Sequence, residues 1–320
     1  MTTTPPRNVC LVGDAAEQLA TLPAGIVQTC ATSPPYWGLR DYGEAGQLGL
    51  EATPDEYVAR MVEVFREVRR VLRDDGTLWL NLGDSYAGAG YGKGTGHAGI
   101  GGGDFKQKPK TALPPGLKPK DLCGIPWRVA FALQADGWWL RSDIVWHKPN
   151  PMPEAVTDRP TGAHEYVFLL SKSARYYYDA DAIKERALQP PGEPARSGQD
   201  TAKAIGRRSQ DGVANNNGAG KSILGSNQGS STRNRRSVWT VATRPYAAAH
   251  FAVWPPALVT PMIQAGSKPG DLVLDPFMGS GTTAQVAQDL GRDWLGVELN
   301  PDYLSLQAKR TAQLSLLGLA

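Results

Sequence analysis

Two short segments of the chain combine residue types that suit the binding of a small ligand. The first, LVLDPFMGSGTT from Leu272 to Thr283, has the pattern of a strand, a glycine turn and the start of a helix. Glycines at 279 and 281 let the backbone turn sharply and let a ligand approach the amides that open the helix. The third glycine of a dinucleotide loop and the lysine of a phosphate-binding loop are both missing. Asp275 therefore favours a ligand with a cationic, amino acid-like end, and Glu298, which ends the next predicted strand, is placed to accept hydrogen bonds from ribose hydroxyls.

The second segment, TSPPYW from Thr32 to Trp37, directly follows a predicted strand and so lies at a carboxyl edge of the sheet. Its two prolines fix the backbone and remove two N–H donors. What remains is a row of acceptors: the Ser33 hydroxyl and the carbonyls of Ser33 and Pro34. A planar amino group presents two donors that such acceptors can hold, and Tyr36 adds a flat face for stacking. The segment predicts a pocket for an amino-bearing aromatic base taken out of a nucleic-acid helix.

The elements around these segments alternate between strands and helices. Strands are predicted at 8–12, 26–32, 77–82, 139–146, 165–171, 271–274 and 294–298, and helices at 14–22, 55–73, 126–135, 282–290 and 302–314. This alternation predicts an α/β fold with a doubly wound, mostly parallel sheet.

Composition and charge narrow the class of protein. The 320 residues are 41% hydrophobic and 20% charged with a formal net charge of +3, which suits a chain with a large buried core. The segment 85–120 is rich in glycine and lysine, and the segment 188–237 is rich in Gly, Ser, Asn, Pro and Gln. Each carries a formal charge of +5, so the remainder of the chain is acidic, and both segments are expected to be flexible. Three cysteines without a CxxC pair predict neither a disulfide scaffold nor a metal site. The start shows no signal pattern and the apolar stretch at 246–267 is broken by prolines, so a cytoplasmic protein without a membrane span is expected.

The two segments, in this order, resemble the permuted β class of amino-group DNA methyltransferases, which use S-adenosylmethionine. In that class the catalytic half precedes the cofactor half, and further blocks at 11–14, 78–84, 146–153, 164–172, 176–179 and 250–259 match as well. The resemblance implies a Rossmann-like domain with circularly permuted motif order. Residues 1–187 would form its catalytic half, 188–237 a variable basic target-recognition segment, and 238–320 the cofactor-binding half.

The resemblance also implies roles for individual residues. The predicted catalytic residues are Ser33, Pro34, Pro35 and Tyr36. The predicted cofactor-binding residues are Asp14, Thr32, His250, Asp275, Pro276, Phe277, Gly279, Ser280, Gly281, Thr282 and Glu298. The predicted contacts to double-stranded DNA are Trp37, Lys148, Asn150, Arg233, Arg235 and Arg236. A homodimer and a cognate restriction endonuclease are further partners that the resemblance allows.

The chemistry implied is methylation of an exocyclic amine on a flipped base. Methylation at a ring carbon would need a cysteine after a proline, and Cys10, Cys30 and Cys123 follow other residues. A serine before Pro-Pro-Tyr leans toward cytosine N4, with adenine N6 as the alternative. A non-catalytic nucleic-acid-binding module and a methyltransferase acting on another substrate stay open at this point.

Overall fold

The computed structural model describes residues 5–39, 41, 43–88, 116–187, 231–243 and 253–312. Its main feature is a mixed sheet of eight strands in the order β1-β10-β9-β2-β3-β5-β4-β8. The strands are β1 (Val9–Val12), β2 (Val27–Thr32), β3 (Leu72–Leu82), β4 (Trp139–His147), β5 (His164–Ser171), β8 (Val238–Thr240), β9 (Leu272–Asp275) and β10 (Asp293–Glu298). Two short strands, β6 (Glu185–Arg186) and β7 (Thr232–Arg233), pair separately. The predicted α/β fold with a mostly parallel sheet is confirmed.

The strand directions determine which residues meet at the functional edge. Strands β1, β10, β9, β2 and β3 run parallel, so their carboxyl ends lie on one side. Strand β5 is antiparallel to β3, and β4 is antiparallel to β5. The amino end of β5 and the carboxyl end of β4 therefore join the same edge, beside the ends of β2 and β3.

Six helices complete the described fold: α1 (Ala15–Ala20), α2 (Pro54–Val71), α3 (Ile125–Ala135), α4 (Pro256–Gly266), α5 (Thr282–Asp289) and α6 (Leu304–Ala312). Helix α2 begins with a capping box between Thr53 and Glu56, with Pro54 at its first turn. Apolar residues that recur at helical spacing, such as Tyr57, Met61 and Phe65, are fully buried. This face packs in the core beneath β2 and β3.

The sequence pattern missed α4 and β8. Pro255 directly precedes helix α4, Pro256 is its first residue, and Pro261 lies within it. Because of these three prolines, the sequence pattern indicates only an interrupted apolar stretch. The first two prolines lie at the start of the helix, where no N–H bond is lost. Strand β8 has three residues, too few for a periodic pattern.

Contacts divide the chain into two units, Met1–Ala182 with Arg236–Ala320, and Ile183–Arg235. In the second unit, the described residues form the β6–β7 pair, with an ion pair of 2.8 Å between Arg233 Nε and Glu185 Oε1. Most of the two predicted basic segments, 89–115 and 188–230, lies outside the described residues. The division into catalytic half, recognition segment and cofactor half stays a prediction.

Candidate active site

A cleft opens at the carboxyl edge of the parallel strands, between the two predicted motifs. Predicted site residues from both motifs line it, namely Ser33, Pro35, Pro276, Phe277, Gly279, Ser280 and Thr282, together with Asp14 and Glu298 from other strand ends. Val253 and Trp254, from the matched block 250–259, also line the cleft, and residues outside any predicted site complete the wall, among them Glu44, Gln47, Asn300 and Tyr303. Glu44 and Gln47 come from the loop after β2, whose approach to the cleft has no local sequence signature. One cleft therefore joins the glycine turn after β9 to the proline segment after β2.

Asp275 lies beneath this cleft and not in its wall. The side chain is 2% exposed, and its Oδ1 accepts hydrogen bonds from Thr32 Oγ1 at 2.6 Å and from the Phe277 amide at 3.0 Å. Its Oδ2 accepts from Thr283 Oγ1 at 2.6 Å. Burial raises the pKa of Asp275 to about 6, against the opposing effect of these three donors. Asp275 thus places a buried negative charge under the glycine turn, and Thr32, itself fully buried, holds that carboxylate in place.

Two further acids line the cleft at strand ends. Glu298 accepts the Gly279 amide at 2.7 Å through Oε2 and the Asn300 amide at 2.9 Å through Oε1. Burial is the main cause that raises the pKa of Glu298. Asp14, after β1, caps α1 by accepting the Glu17 amide at 3.1 Å through Oδ1, which leaves Oδ2 unused by that cap.

The glycine turn is held by α6. Gly281 has a positive φ of 87°, and a Cβ there would lie 3.2 Å from the Gln307 Cα. Gln307 Nε2 donates to the Gly279 carbonyl at 2.8 Å, and Arg310 donates to Thr282 Oγ1. Between the glycines, the Ser280 hydroxyl is buried and has no hydrogen-bond partner within the described part of the chain. A buried hydroxyl that lines a cleft without a partner is a position where a ligand can bond.

The proline segment carries a polar network. Tyr36 OH donates to Glu165 Oε2 at 2.7 Å, and lies 3.1 Å from Asn81 Oδ1 and 3.3 Å from Ser33 Oγ. Burial and the Glu165 carboxylate raise the pKa of Tyr36 well above its usual value, so the phenol remains protonated. The ring lies directly against Gly83, where a Cβ would be 2.6 Å from Tyr36 Cε2. Pro35 contributes its carbonyl, which accepts from Tyr57 OH at 2.8 Å.

Sequence reasoning did not select Asn81, Gly83 or Glu165 as site residues. Asn81 and Gly83 lie at the end of β3 inside a predicted block, and Glu165 is the second residue of β5. Only the antiparallel direction of β5 brings Glu165 to the edge where β2 ends. That direction has no signature in the sequence of β5 itself, so the resemblance of blocks 78–84 and 164–172 was the one available signal.

The structure places the predicted DNA-contacting residues in different surroundings. Trp37 packs against the core and donates to the Glu51 carbonyl at 3.0 Å, and Asn150 bonds both backbone groups of Thr243. Lys148 pairs with Glu165, and Arg233 pairs with Glu185. The other two arginines, Arg235 and Arg236, are half-buried and exposed respectively. His250 lies outside the described residues. DNA contact by these residues stays a prediction.

The cysteines do not supply a nucleophile to this site. Cys30 and Cys123 are buried and Cys10 is half-buried, and all three are free thiols. Burial raises the pKa of Cys10 to about 12 and raises that of Cys30 well above its usual value, so neither forms a thiolate at neutral pH. Among the described residues, no cluster of three or more His, Cys, Asp or Glu could hold a metal ion, and no helix is long and apolar enough to cross a membrane.

Comparisons with known proteins agree with this geometry. A profile of the N6/N4 DNA methylase family matches residues 27–310. The type II methyltransferase M.XycI of Xanthomonas campestris pv. cyanopsidis is 48% identical over 93% of this chain and 85% of its own length. The type II methyltransferase M.SmaI of Serratia marcescens is 47% identical over 94% and 89%. The solved structure of the cytosine-N4-specific PvuII DNA methyltransferase shares the fold, with a TM-score of 0.61 at 20% identity over 96% of this chain and 87% of that one.

Proposed function

This chain belongs to the N6/N4 DNA methylase family, and on that premise we propose that its target is the N4 amine of a cytosine in double-stranded DNA. Enzymes of the family use S-adenosylmethionine as methyl donor. The single observation that supports methyl transfer to an exocyclic amine is that Ser33 and the glycine turn line one cleft. An amine held at Ser33 would therefore lie beside a ligand held at the turn.

The residues of the cleft fit S-adenosylmethionine. The unpartnered Ser280 hydroxyl offers a hydrogen bond, and Glu298 and Asp14 retain acceptor capacity for ribose and adenine groups. Phe277 and Trp254 contribute apolar surface to the wall of the cleft. The buried charge of Asp275 favours a cationic group above the turn without touching it. When bound, this cofactor supplies an activated methyl group on a sulfonium.

The proline segment orients the nucleophile. The lone pair of an exocyclic amine is delocalised into the base ring, which makes the nitrogen a poor nucleophile. Acceptance of its N–H groups by Ser33 and by the Pro34 carbonyl would localise that pair on nitrogen. Pro34 and Pro35 carry no N–H, so neither residue supplies a backbone donor that would compete for these acceptors. No strong base is needed, because nitrogen can attack before it loses its proton.

Tyr36 is proposed to stack on the flipped base. Its hydroxyl is anchored by Glu165 and its ring rests against Gly83, so the ring is fixed before a base arrives. A fixed aromatic ring loses little entropy when a base stacks on it, and such stacking contributes about 1–3 kcal/mol.

Serine at position 33 supports cytosine over adenine, because the resemblance links serine before Pro-Pro-Tyr to cytosine N4 and aspartate or asparagine to adenine N6. The type II relatives support a role beside a restriction endonuclease.

The test is to express the protein in a host whose DNA lacks N4-methylcytosine and N6-methyladenine, and to sequence that DNA with modified-base detection. N4-methylcytosine at one recurrent sequence is the expected result; N6-methyladenine would refute the choice of base, and unmodified DNA would refute the activity.

A further inference from the structure

The Glu165 carboxylate is the centre of a hydrogen-bond network at the end of the predicted base pocket. Its Oε2 accepts from Tyr36 OH at 2.7 Å and from Asn81 Nδ2 at 3.1 Å. The Lys148 ammonium binds Oε1, and it lies 4.5 Å above the Trp146 ring. The Glu165 and Lys148 side chains are only 16% and 18% exposed, so water competes weakly for these bonds.

These contacts fix which way each hydrogen points. A carboxylate has no hydrogen to give, so Lys148, Tyr36 and Asn81 must all donate to it. The Asn81 amide nitrogen faces two acceptors, Glu165 Oε2 and the Tyr166 carbonyl, each at 3.1 Å. Its Oδ1 must therefore face the opposite way, toward Tyr36 and Ser33.

Ser33 is the last member of this chain of bonds. Its single hydroxyl hydrogen has two inward acceptors, Asn81 Oδ1 and the Tyr36 oxygen, both at 3.3 Å. Once that hydrogen points inward, the Ser33 oxygen presents only lone pairs to the cleft that it lines. An exocyclic amine presents N–H donors, so an acceptor is the partner it needs.

We propose that the Glu165–Lys148 pair positions the reaction by orienting the Ser33 hydroxyl, so that its oxygen accepts the target amine. This inference rests on the proposed function, because it gives Ser33 an amine as ligand. Glu165 and Lys148 are positioning residues that act through Tyr36 and Asn81, and neither touches the reacting atoms.

Glu165→Gln is the variant that reverses this orientation with little change of shape. With Lys148 present, the glutamine carbonyl turns to the ammonium, and the NH2 then faces Tyr36 and Asn81. Tyr36 can no longer donate there and gives its hydrogen to Asn81 Oδ1, 3.1 Å away. The Ser33 hydrogen then competes with Tyr36 for Asn81 Oδ1. Its inward orientation is weakened, and a larger share of Ser33 hydroxyls point the hydrogen toward the cleft, where it opposes the amine.

The double variant Lys148→Met with Glu165→Gln restores the original direction. Methionine is close to lysine in length and carries no charge, so the carbonyl of the introduced glutamine can again face Tyr36 and Asn81. Because the proposed mechanism depends on direction and not on the negative charge, the double variant should recover what the single variant loses. Asp136→Asn, which removes the ion pair with Arg66 between α2 and α3, is the matched control.

The experiment measures methyl transfer to DNA at saturating DNA and S-adenosylmethionine for the wild type and these three variants, with melting temperatures and calorimetric cofactor affinity alongside. Glu165→Gln should lower kcat at least about tenfold while KM for DNA and the cofactor Kd stay within about twofold. The double variant should regain most of kcat, and Asp136→Asn should match the wild type.

Two outcomes would overturn the inference. Wild-type kcat in Glu165→Gln would mean that the network does not orient Ser33. Equal loss in the single and double variants would mean that the Glu165 charge, or the fold, matters instead of the hydrogen-bond direction. If the wild-type protein methylates no DNA, the proposed function itself is refuted. This result differs from the two above, because in both of them the wild type is active and only the variants depart from the expected activity.

Discussion

Replacing Asp275 by asparagine should make the protein more stable and its cofactor binding weaker. The introduced asparagine can keep the three hydrogen bonds of the buried carboxylate: its Oδ1 still accepts from Thr32 and the Phe277 amide, and its Nδ2 donates to Thr283. The Thr283 hydroxyl can in turn donate to the Ala31 carbonyl, 3.3 Å away. What the substitution removes is the cost of burying a charge.

The size of the effect follows from the pKa of Asp275, raised from 3.8 to about 6. Because the folded-state pKa is the higher one, ionisation opposes folding: the cost is absent below about pH 4 and complete above about pH 6. At about 1.4 kcal/mol per pH unit the cost is about 3 kcal/mol at pH 7, an upper value, and about half of that at pH 5. Asp275→Asn should therefore gain stability over the wild type, and the gain should shrink as the pH falls.

The assay is urea unfolding of wild type and Asp275→Asn at several pH values from about 5 to about 8, with the exposed Asp302→Asn as control. Calorimetry with S-adenosylmethionine, run in parallel, should show weaker binding by Asp275→Asn, because the favourable field above the turn is removed. A variant less stable than the wild type at the upper end of this range, or a difference that does not change with pH, would contradict the predicted cost of burying the Asp275 charge. Unchanged cofactor affinity would refute the electrostatic role of Asp275.

Three further predictions follow from the site. Ser33→Ala should reduce methyl transfer about tenfold or more, measured with labelled cofactor, while the cofactor Kd is unchanged because the glycine turn is intact. Gly281→Ala places a Cβ on a residue in the left-handed region, 3.2 Å from the α6 backbone. It should lower the free energy of unfolding, measured by thermal unfolding, by about 1–2 kcal/mol, and it should also weaken cofactor binding. Neutralising Arg233, Arg235 and Arg236 together should weaken DNA binding and flatten its salt dependence, by up to about 0.9 in slope for each bond to phosphate that the substitutions remove. Equal slopes in a salt series would mean that these arginines do not bind the DNA backbone.

Local patterns predicted the parallel part of the fold well. Tyr57, Met61 and Phe65 repeat at helical spacing, and α2 forms where that spacing predicted it. The glycine turn was predictable because Gly279 and Gly281 do need positive φ values.

Long-range contacts were not predictable in the same way. The pattern indicates that β5 is a strand but not its direction, and this direction brings Glu165 to Tyr36 and Ser33. Likewise, the position of Asp275 at a strand end predicted from sequence alone that its carboxylate contacts the ligand. In the structure both carboxylate oxygens of Asp275 instead accept hydrogen bonds from threonines. Thr32 is 243 positions away in the chain and Thr283 is 8 positions away.

The role proposed for Ser33 is to present an acceptor to a cytosine amine beside the cofactor cleft. It is tested most directly by incubating the purified protein with unmodified double-stranded DNA and methyl-labelled S-adenosylmethionine, and then digesting the DNA to nucleosides for mass spectrometry. We expect label in N4-methylcytosine with the wild type and a strong reduction with folded, cofactor-binding Ser33→Ala. Label in 5-methylcytosine, or equal N4-methylcytosine from both proteins, would contradict it.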